Sequence, residues 1–381
     1  MTLALLVVVS GALGAWEHQP AQDGHPEVFV IRSADGSAGA VDTTGERAAA
    51  IFTVRAGYAD DTGLFGLTAQ TQQALLHANP RLAKFQEQLF ANGVTLELSV
   101  SRQRCNFVLT GSQQGVTLAA QSLAAGLFQP KVDDSSVVAL SQRGSPQGPL
   151  ANEAEFLAQM LEPVLLKEAR RVQVGQLVWH PPSRIRQHIS EYFSPANTTV
   201  TLIGIDRSKV PALKLVGGTR RERPVNPWAT DVSVKVPSSR NVHVLGYPLP
   251  PLDATQVAGM RVVARLLQEE LLRTLRQSGS AYSISVVPTF NATFSGVLIL
   301  IPAYDSSGLD LETGIMEAIF RVTHDKLTDE DVKTLVTAEQ DKDRLLSQRA
   351  DQLADELVNG SRLEAWESPE YQQALAELNA A

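Results

Sequence analysis

Apolar positions along the chain fall into two rhythms, and the order in which those rhythms occur repeats. Residues 48–58 (AAAIFTVRAGY) are a nearly unbroken apolar run, as in a strand covered on both faces, and Leu64–His77 follows with helical spacing. Val94–Val100 and Asn106–Thr110 then alternate with period two and are joined through the polar Ser101–Arg104, which predicts a hairpin. Helical spacing returns over Gly115–Phe128 and stops before Pro130. The second half spells the same order: a strand at Val242–Tyr247, a long helix at Ala254–Arg276, strands at Ala281–Pro288 and Ser295–Ile301, and a helix at Leu309–His324. Strand, helix, hairpin, helix, written twice, predicts an α+β duplication of two homologous domains. Each is expected to be a mostly antiparallel sheet with helices on one face.

Between the halves, Ser183–Phe193 reads as a helix, and the β-branched Thr198–Ile205 as a strand. Gly217–Trp228 (GGTRRERPVNPW) has glycine, proline and charge without apolar period. The expected organisation is an apolar N-terminal segment at 1–26, a first domain at 27–216, a linker at 217–236 and a second domain at 237–381. Thr328-Asp329-Glu330 places a capping threonine before acids that suit the positive start of a helix, which is predicted to run to about Val358. A further short helix is expected in the tail from Ser361, with no strand after it.

The chain has 381 residues, 44% apolar and 19% charged, which suits two cores better than one. Thirty-three basic against 41 acidic residues give a net charge of -8, so no global basic field exists to hold a polynucleotide. Cys105 is the one cysteine and sits in an apolar alternation, which excludes an internal disulfide and a thiolate metal cluster and points to a small core residue. Met1–Ala15 is almost wholly apolar yet shorter than the roughly 20 residues a membrane span needs. No Lys or Arg precedes it and its cleavage signal is poor. Three readings stay open: a retained segment packed on the fold or a partner, a cleaved signal, and a membrane-dipping anchor.

The chemistry-bearing residues form no familiar catalytic pattern. The seven histidines, His18, His25, His77, His180, His188, His243 and His324, include no pair at helical metal spacing. There is no Gly-x-Ser-x-Gly elbow and no Gly-x-x-x-x-Gly-Lys phosphate loop. The acids at Asp60-Asp61 and Asp329-Glu330-Asp331 read as turn and helix-start residues.

Five stretches in one order carry a resemblance. They are Val54–Asp61 with Gly66-Leu67-Thr68-Ala69-Gln70-Thr71-Gln72-Gln73; Asn92–Ser101; Phe193-Ser194-Pro195-Ala196-Asn197 with Val200–Gly204; Leu275–Ile284; and Leu327–Asp331. Together they resemble the pitrilysin/insulinase-type metallopeptidase superfamily, the processing-peptidase-like proteins, in its non-catalytic form. That family's helix reads Gly-Leu-x-His-x-x-Glu-His, in which two histidines bind zinc and the glutamate activates water. The corresponding positions here are Ala69, Gln72 and Gln73, and the third ligand, a later glutamate, falls near Gln142 in a stretch without acids from 135 to 152. Alanine has no donor atom, and a glutamine amide is neither a competent base nor a usual zinc ligand. The resemblance therefore implies a pseudo-peptidase with no catalytic residue, metal or cofactor.

Arg276 and Tyr282 lie where active relatives help to hold the substrate backbone, so the resemblance offers them as vestigial peptide contacts. The plainer reading makes Tyr282 a packed strand residue and Arg276 a cation at a helix end. Family members also close the second domain with a strand that this sequence lacks, which implies either an edge left open for a partner, as in an obligate complex, or an N-terminal apolar segment that fills the vacancy. Phe290–Gly296 resembles the second core protein of the mitochondrial cytochrome bc1 complex. The implied role is a structural subunit on the matrix side of the inner membrane, beside a paralogous core subunit. The alternative is an inactive partner of an active zinc peptidase, in a processing-peptidase or bacterial periplasmic heterodimer. An active hydrolase of other chemistry is the control.

Overall fold

The computed structural model describes residues 7–11, 14–19, 25–31, 47–57, 60–61, 66–100, 104–142, 179–205, 207–210, 216–221, 242–249, 252, 254–277, 284–291, 294–302, 308–324, 328, 330–338 and 354. They belong to two compact units.

The first unit is built on a seven-stranded sheet. Its strands are β1 (Val7–Gly11), β2 (Gly14–Gln19), β3 (Glu27–Ile31), β4 (Arg47–Val54), β5 (Thr95–Val100), β6 (Cys105–Ser112) and β7 (Thr198–Ile203), in the order β1-β2-β3-β7-β4-β6-β5. All neighbours are antiparallel except β3 and β7, which run parallel with Val28 opposite Val200. The central strand β4 is buried at every position after Arg47 and pairs with both β6 and β7, so Val54 faces Cys105 on one side and Thr198 on the other. Coverage of both faces is why its sequence is a continuous apolar run, while the edge strand β5 alternates between exposed and half-buried positions.

Among the described residues this unit has five α-helices: α1 (Leu67–His77), α2 (Phe85–Ala91), α3 (Gln113–Phe128), α4 (Asp134–Gln142) and α5 (Pro182–Tyr192). Helix α3 starts at Ser112, whose hydroxyl accepts the Gly115 N–H at 3.2 Å. It buries Val116, Ala119, Ala120, Leu123, Ala124 and Leu127, one stripe of period 3.6, in the core with Phe52, Phe107 and Leu109. Cys105 is fully buried in that core and forms no disulfide. Gly126 lets the helix pass close to Leu82, since a Cβ there would lie 2.6 Å from Leu82 Cδ1.

The second unit repeats the first in small. Strands β8 (Val242–Leu249), β9 (Ser285–Asn291) and β10 (Phe294–Pro302) form an antiparallel sheet of order β8-β10-β9, the same arrangement as β4-β6-β5. Helices α6 (Ala254–Gln277) and α7 (Gly308–His324) pack Leu271, Leu275, Leu311 and Ile315 against Val297, Ile299 and Ile301. Glu270 of α6 accepts from Arg273 at 2.7 Å and Arg321 at 3.0 Å, and these guanidinium groups hold its carboxyl below the ordinary range. Residues 330–338 are helical. Thr328 opens that segment by accepting the Asp331 N–H at 3.2 Å, and Asp331 returns a bond to the Thr328 N–H at 3.1 Å.

The expected α+β architecture and duplicated order are present. The strand expected at 281–288 is corrected to 285–291: residues 281–283 lie outside the described set, and pairing with β10 extends the strand through Phe290 and Asn291. Strands β1 to β3 and helices α2 and α4 complete the first unit beyond the predicted elements. Within the expected N-terminal segment, β1 and β2 form a hairpin that extends the sheet through β3. Of the expected linker, 217–221 is tied to the first unit and 222–236 lies outside the described residues. Of the helix expected from Thr328 to about Val358, residues 328, 330–338 and 354 are described, and the tail expected from Ser361 lies outside the described residues. Among the described residues the second unit's sheet has three strands, and no helix is long and apolar enough to cross a membrane.

The signature Ser194-Pro195-Ala196-Asn197 gains a physical reason. Asn197 is fully buried, and its amide donates to the Tyr192 carbonyl at 2.9 Å and the Arg55 carbonyl at 3.2 Å, while its Oδ1 accepts the Arg221 N–H at 3.2 Å. One side chain thus joins the end of α5, the exit of β4 and segment 216–221. Asn197→Ala leaves three backbone groups without that partner and is expected to cost about 2 kcal/mol or more, read as a lower midpoint in chemical denaturation. Unchanged stability would contradict this role.

Candidate functional site

The exit of β4 turns back on itself before α1 begins. Asp60 accepts the Gly57 N–H at 2.9 Å through its carboxylate and donates its own N–H to the Gly57 carbonyl at 2.9 Å. Gly66 enters the helix at φ 88°, a left-handed conformation that suits glycine. The first turn of α1 has no acid and no side-chain cap at Gly66 itself; the Asp61 carboxyl supplies the cap instead. Its Oδ2 accepts the Gly66 N–H at 2.8 Å and its Oδ1 the Thr68 N–H at 2.8 Å.

A buried polar cluster grows from this cap. Thr68 Oγ1 lies 2.7 Å from Asp61 Oδ1, 3.1 Å from the Gly57 carbonyl and 3.0 Å from His188 Nε2 of α5. Burial pushes the Asp61 carboxyl up to about 7, against the opposing pull of the Thr68 hydroxyl and of the Thr68 and Gly66 amides. Burial likewise pushes His188 down to about 4, so the imidazole is neutral at pH 7; Glu191 acts against that shift and Arg221 and His180 with it. Tyr192 stacks beside His188 at 4.6 Å between ring centroids and carries the Arg221 guanidinium 4.3 Å over its own ring. An acid, a hydroxyl and an imidazole in contact invite comparison with a nucleophilic triad. The order is wrong for that chemistry, because the hydroxyl and not the imidazole is in the middle, and Thr68 is 0% exposed.

The positions singled out by sequence lie one turn further along the same helix. Ala69 is half-buried and packs on the first unit's core. Gln73 is half-buried. Gln72 is 2% exposed and turned to the β5–β6 hairpin, where its Nε2 donates to the Asn106 carbonyl at 2.7 Å and lies 3.5 Å from the Ser99 carbonyl. Thr53 links β4 to the same hairpin by donating to Asn106 Oδ1 at 2.8 Å, and Asn106 Nδ2 donates across the hairpin to Ser99 Oγ at 3.0 Å. Gln70, between the motif positions, accepts the His180 N–H at 2.7 Å and so ties the approach to α5 onto α1. Helix α4 packs against α1, and Gln142 is its exposed last residue. Among the described residues no group of three His, Cys, Asp or Glu is placed to hold a metal ion.

The remaining candidates separate. Arg276 is an exposed residue in the last turn of α6, as its helix-end reading expects, whereas Tyr282 lies outside the described residues. Asp61 sits where a turn acid was expected, but it is a buried cap and not a solvated turn residue. His188 and Thr68 were not singled out by sequence. The available signal was the stripe Ile185, His188, Ile189 and Tyr192, which puts the imidazole on the buried face of α5.

The architecture is shared with peptidases and peptidase-like proteins of known structure. The periplasmic protease PqqL of Escherichia coli superposes with a TM-score of 0.63 at 16% identity over 98% of this chain, which spans 43% of PqqL. A putative M16-like peptidase of Alicyclobacillus acidocaldarius gives a TM-score of 0.67 at 11% identity, covering 100% of this chain and 94% of that one. The peptidase M16 inactive domain of Pseudomonas fluorescens gives 0.62 at 11% identity, covering 98% and 95%. Among curated proteins, none matches the sequence. Residues 182–339 match the family model described as the peptidase M16 inactive domain. The fold is thus that of the pitrilysin-type (M16) peptidases, and from α5 through the second unit the chain matches the domain described as inactive.

The buried acid and the buried imidazole predict opposing pH dependences. Asp61 has its folded value above its ordinary 3.8, so its contribution is fully present below about pH 4 and is lost as pH rises through about 7. His188 has its folded value below its ordinary 6.5, so its contribution is present above that pH and is lost as pH falls through about 4. Between about pH 4 and 6.5 the two slopes, each on the order of 1 kcal/mol per pH unit, oppose one another. Urea denaturation across that range is expected to show Asp61→Asn gaining stability relative to the parent as pH rises, and His188→Gln losing it. Variants that track the parent at every pH would contradict the assignment.

Proposed function

We propose that the chain is a non-catalytic partner subunit of an active zinc peptidase of the same fold, acting in a bacterial envelope. The observation that carries this reading is Gln72. It stands where the resemblance places the general base, and its amide is engaged inside the fold as a donor to the hairpin backbone, 2% exposed. A carboxylate has no proton to give to that carbonyl, so the side chain suits a tether and not a base. Ala69 and Gln73 at the histidine positions, and Gln142 at the place of the distal acid, supply no metal-binding set.

The match of 182–339 to a domain described as inactive supports the loss of catalysis. The envelope location and peptidase partner draw support from the likeness to PqqL, a periplasmic protease that is more than twice as long as the stretch this chain spans. The reading as a core subunit of the cytochrome bc1 complex rested on Phe290–Gly296. Of those residues, Phe290 and Asn291 of β9 pair opposite Ser295 and Phe294 of β10, which gives them a local strand-pairing role, and 292–293 lie outside the described residues. The solved structures compared above come from bacteria, which favours the partner-subunit reading.

The test is recovery of the tagged full chain from envelope extracts of its native source, together with metal analysis of the purified protein. Expected are a stoichiometric companion bearing His-x-x-Glu-His, less than about 0.1 zinc per chain after dialysis, and no peptide cleavage by the chain alone. Stoichiometric zinc with cleavage abolished by Gln72→Ala would overturn the reading. Recovery with a haem-bearing membrane complex would favour the core-subunit role instead.

A further inference from the structure

The hydroxyl of Thr68 faces three partners with one proton. The Gly57 carbonyl only accepts, so at 3.1 Å it needs that proton. An ionised Asp61 also only accepts, and its Oδ1 at 2.7 Å is the closer of the two. His188 Nε2 at 3.0 Å can donate or accept according to tautomer. All three contacts close together in one arrangement. Asp61 carries a proton on Oδ1 and donates it to Thr68 Oγ1, neutral His188 donates its Nε2–H to the same oxygen, and Thr68 donates to Gly57. A hydroxyl oxygen has the two lone pairs this requires. Asp61 still accepts the Thr68 and Gly66 N–H groups, so the cap of α1 is kept.

From this count we propose that Asp61, Thr68 and Gly57 form a proton-dependent latch between the exit of β4 and the N-terminus of α1. Loss of the Asp61 proton to solvent leaves a carboxylate that takes the Thr68 hydroxyl proton for itself. The bond from Thr68 to Gly57 then breaks, and Thr68 Oγ1 and the Gly57 carbonyl are left as two acceptors in contact. The proton is the sole species gained or lost, and His188 keeps its Nε2–H in both states. Gly57 is held in its turn by Asp60 alone once the latch is open.

The surroundings leave Asp61 as the group that switches. Its own turn adds Asp60, whose charge raises the Asp61 value further. Helix α1 brings no charged side chain before His77 at its far end, and α3 brings none. Helix α4 brings Asp134, which pairs with Arg186 of α5, and β5 brings the exposed Glu97. From α5 and its flanks, Glu191, Arg221 and His180 act on His188. None of these sits on the carboxyl as a cation that would hold it ionised, and burial places its release near neutral pH.

The experiment is carbon-detected NMR of the full chain labelled at aspartate carboxyl carbons, with Asp61 assigned by its loss in Asp61→Asn, and hydrogen exchange of residues 57–68 on the same sample. The expected result is an Asp61 carboxyl that is protonated at pH 5.5 and titrates near 7. Amide exchange around Gly57, corrected for its intrinsic pH dependence, should rise about fivefold through the same transition, the loss of one hydrogen bond. Thr68→Ser should keep the coupling and Thr68→Val should abolish it. An Asp61 ionised throughout pH 5 to 8, or exchange around Gly57 indifferent to its titration, would overturn the proposal. The titration of the unaltered chain decides the matter even where a variant fails to fold.

Discussion

A hydrogen bond from a buried amide holds helix α1 to the sheet beneath it. Gln72 gives its proton to the Asn106 carbonyl, at the same level where Thr53, Asn106 and Ser99 link β4, β6 and β5. In a site this dry, a donor facing a carbonyl is stabilising and an acceptor in its place is costly. The identity of residue 72 therefore follows from the backbone it meets.

The start of the same helix meets a related constraint with a different solution. The first N–H groups of α1 have no intrahelical partner, and Asp61 folds back to accept two of them. That arrangement removes the acid from water, so its charge becomes expensive and its proton becomes part of the architecture. Thr68 and His188 then spread the cap to α5, and Gln70 ties α1 to the segment before α5. Helix α1 is consequently fastened at its base to the hairpin and at its start to the turn and to α5, all by side chains that an exposed catalytic helix would keep for other work.

Much of this was legible from the residue pattern. The largely apolar β4, the amphipathic α3 and α6, and the alternation of β5 each declare themselves by period, and the duplicated order recurs as β4-β6-β5 and β8-β10-β9. The short strands β1 to β3 escaped, because five or six residues carry little periodic signal and β2 is largely polar in sequence. At the site, the positions Ala69, Gln72 and Gln73 were legible through the resemblance. The use Gln72 is put to was not, since its partner is a backbone carbonyl 34 positions away. The Asp61, Thr68 and His188 cluster was hidden for the same reason: Thr68 and His188 are 120 positions apart, and only the fold brings them together.

The central claim is that residue 72 serves as a donor to the hairpin, and denaturation of Gln72→Glu at several pH values tests it most directly. The account predicts a loss of about 2 kcal/mol or more near pH 7, where the new carboxylate faces the Asn106 carbonyl. The loss should shrink as pH falls through the carboxyl range and the acid regains a proton to donate. A variant as stable as the parent at pH 7, with no dependence of the difference on pH, would contradict it.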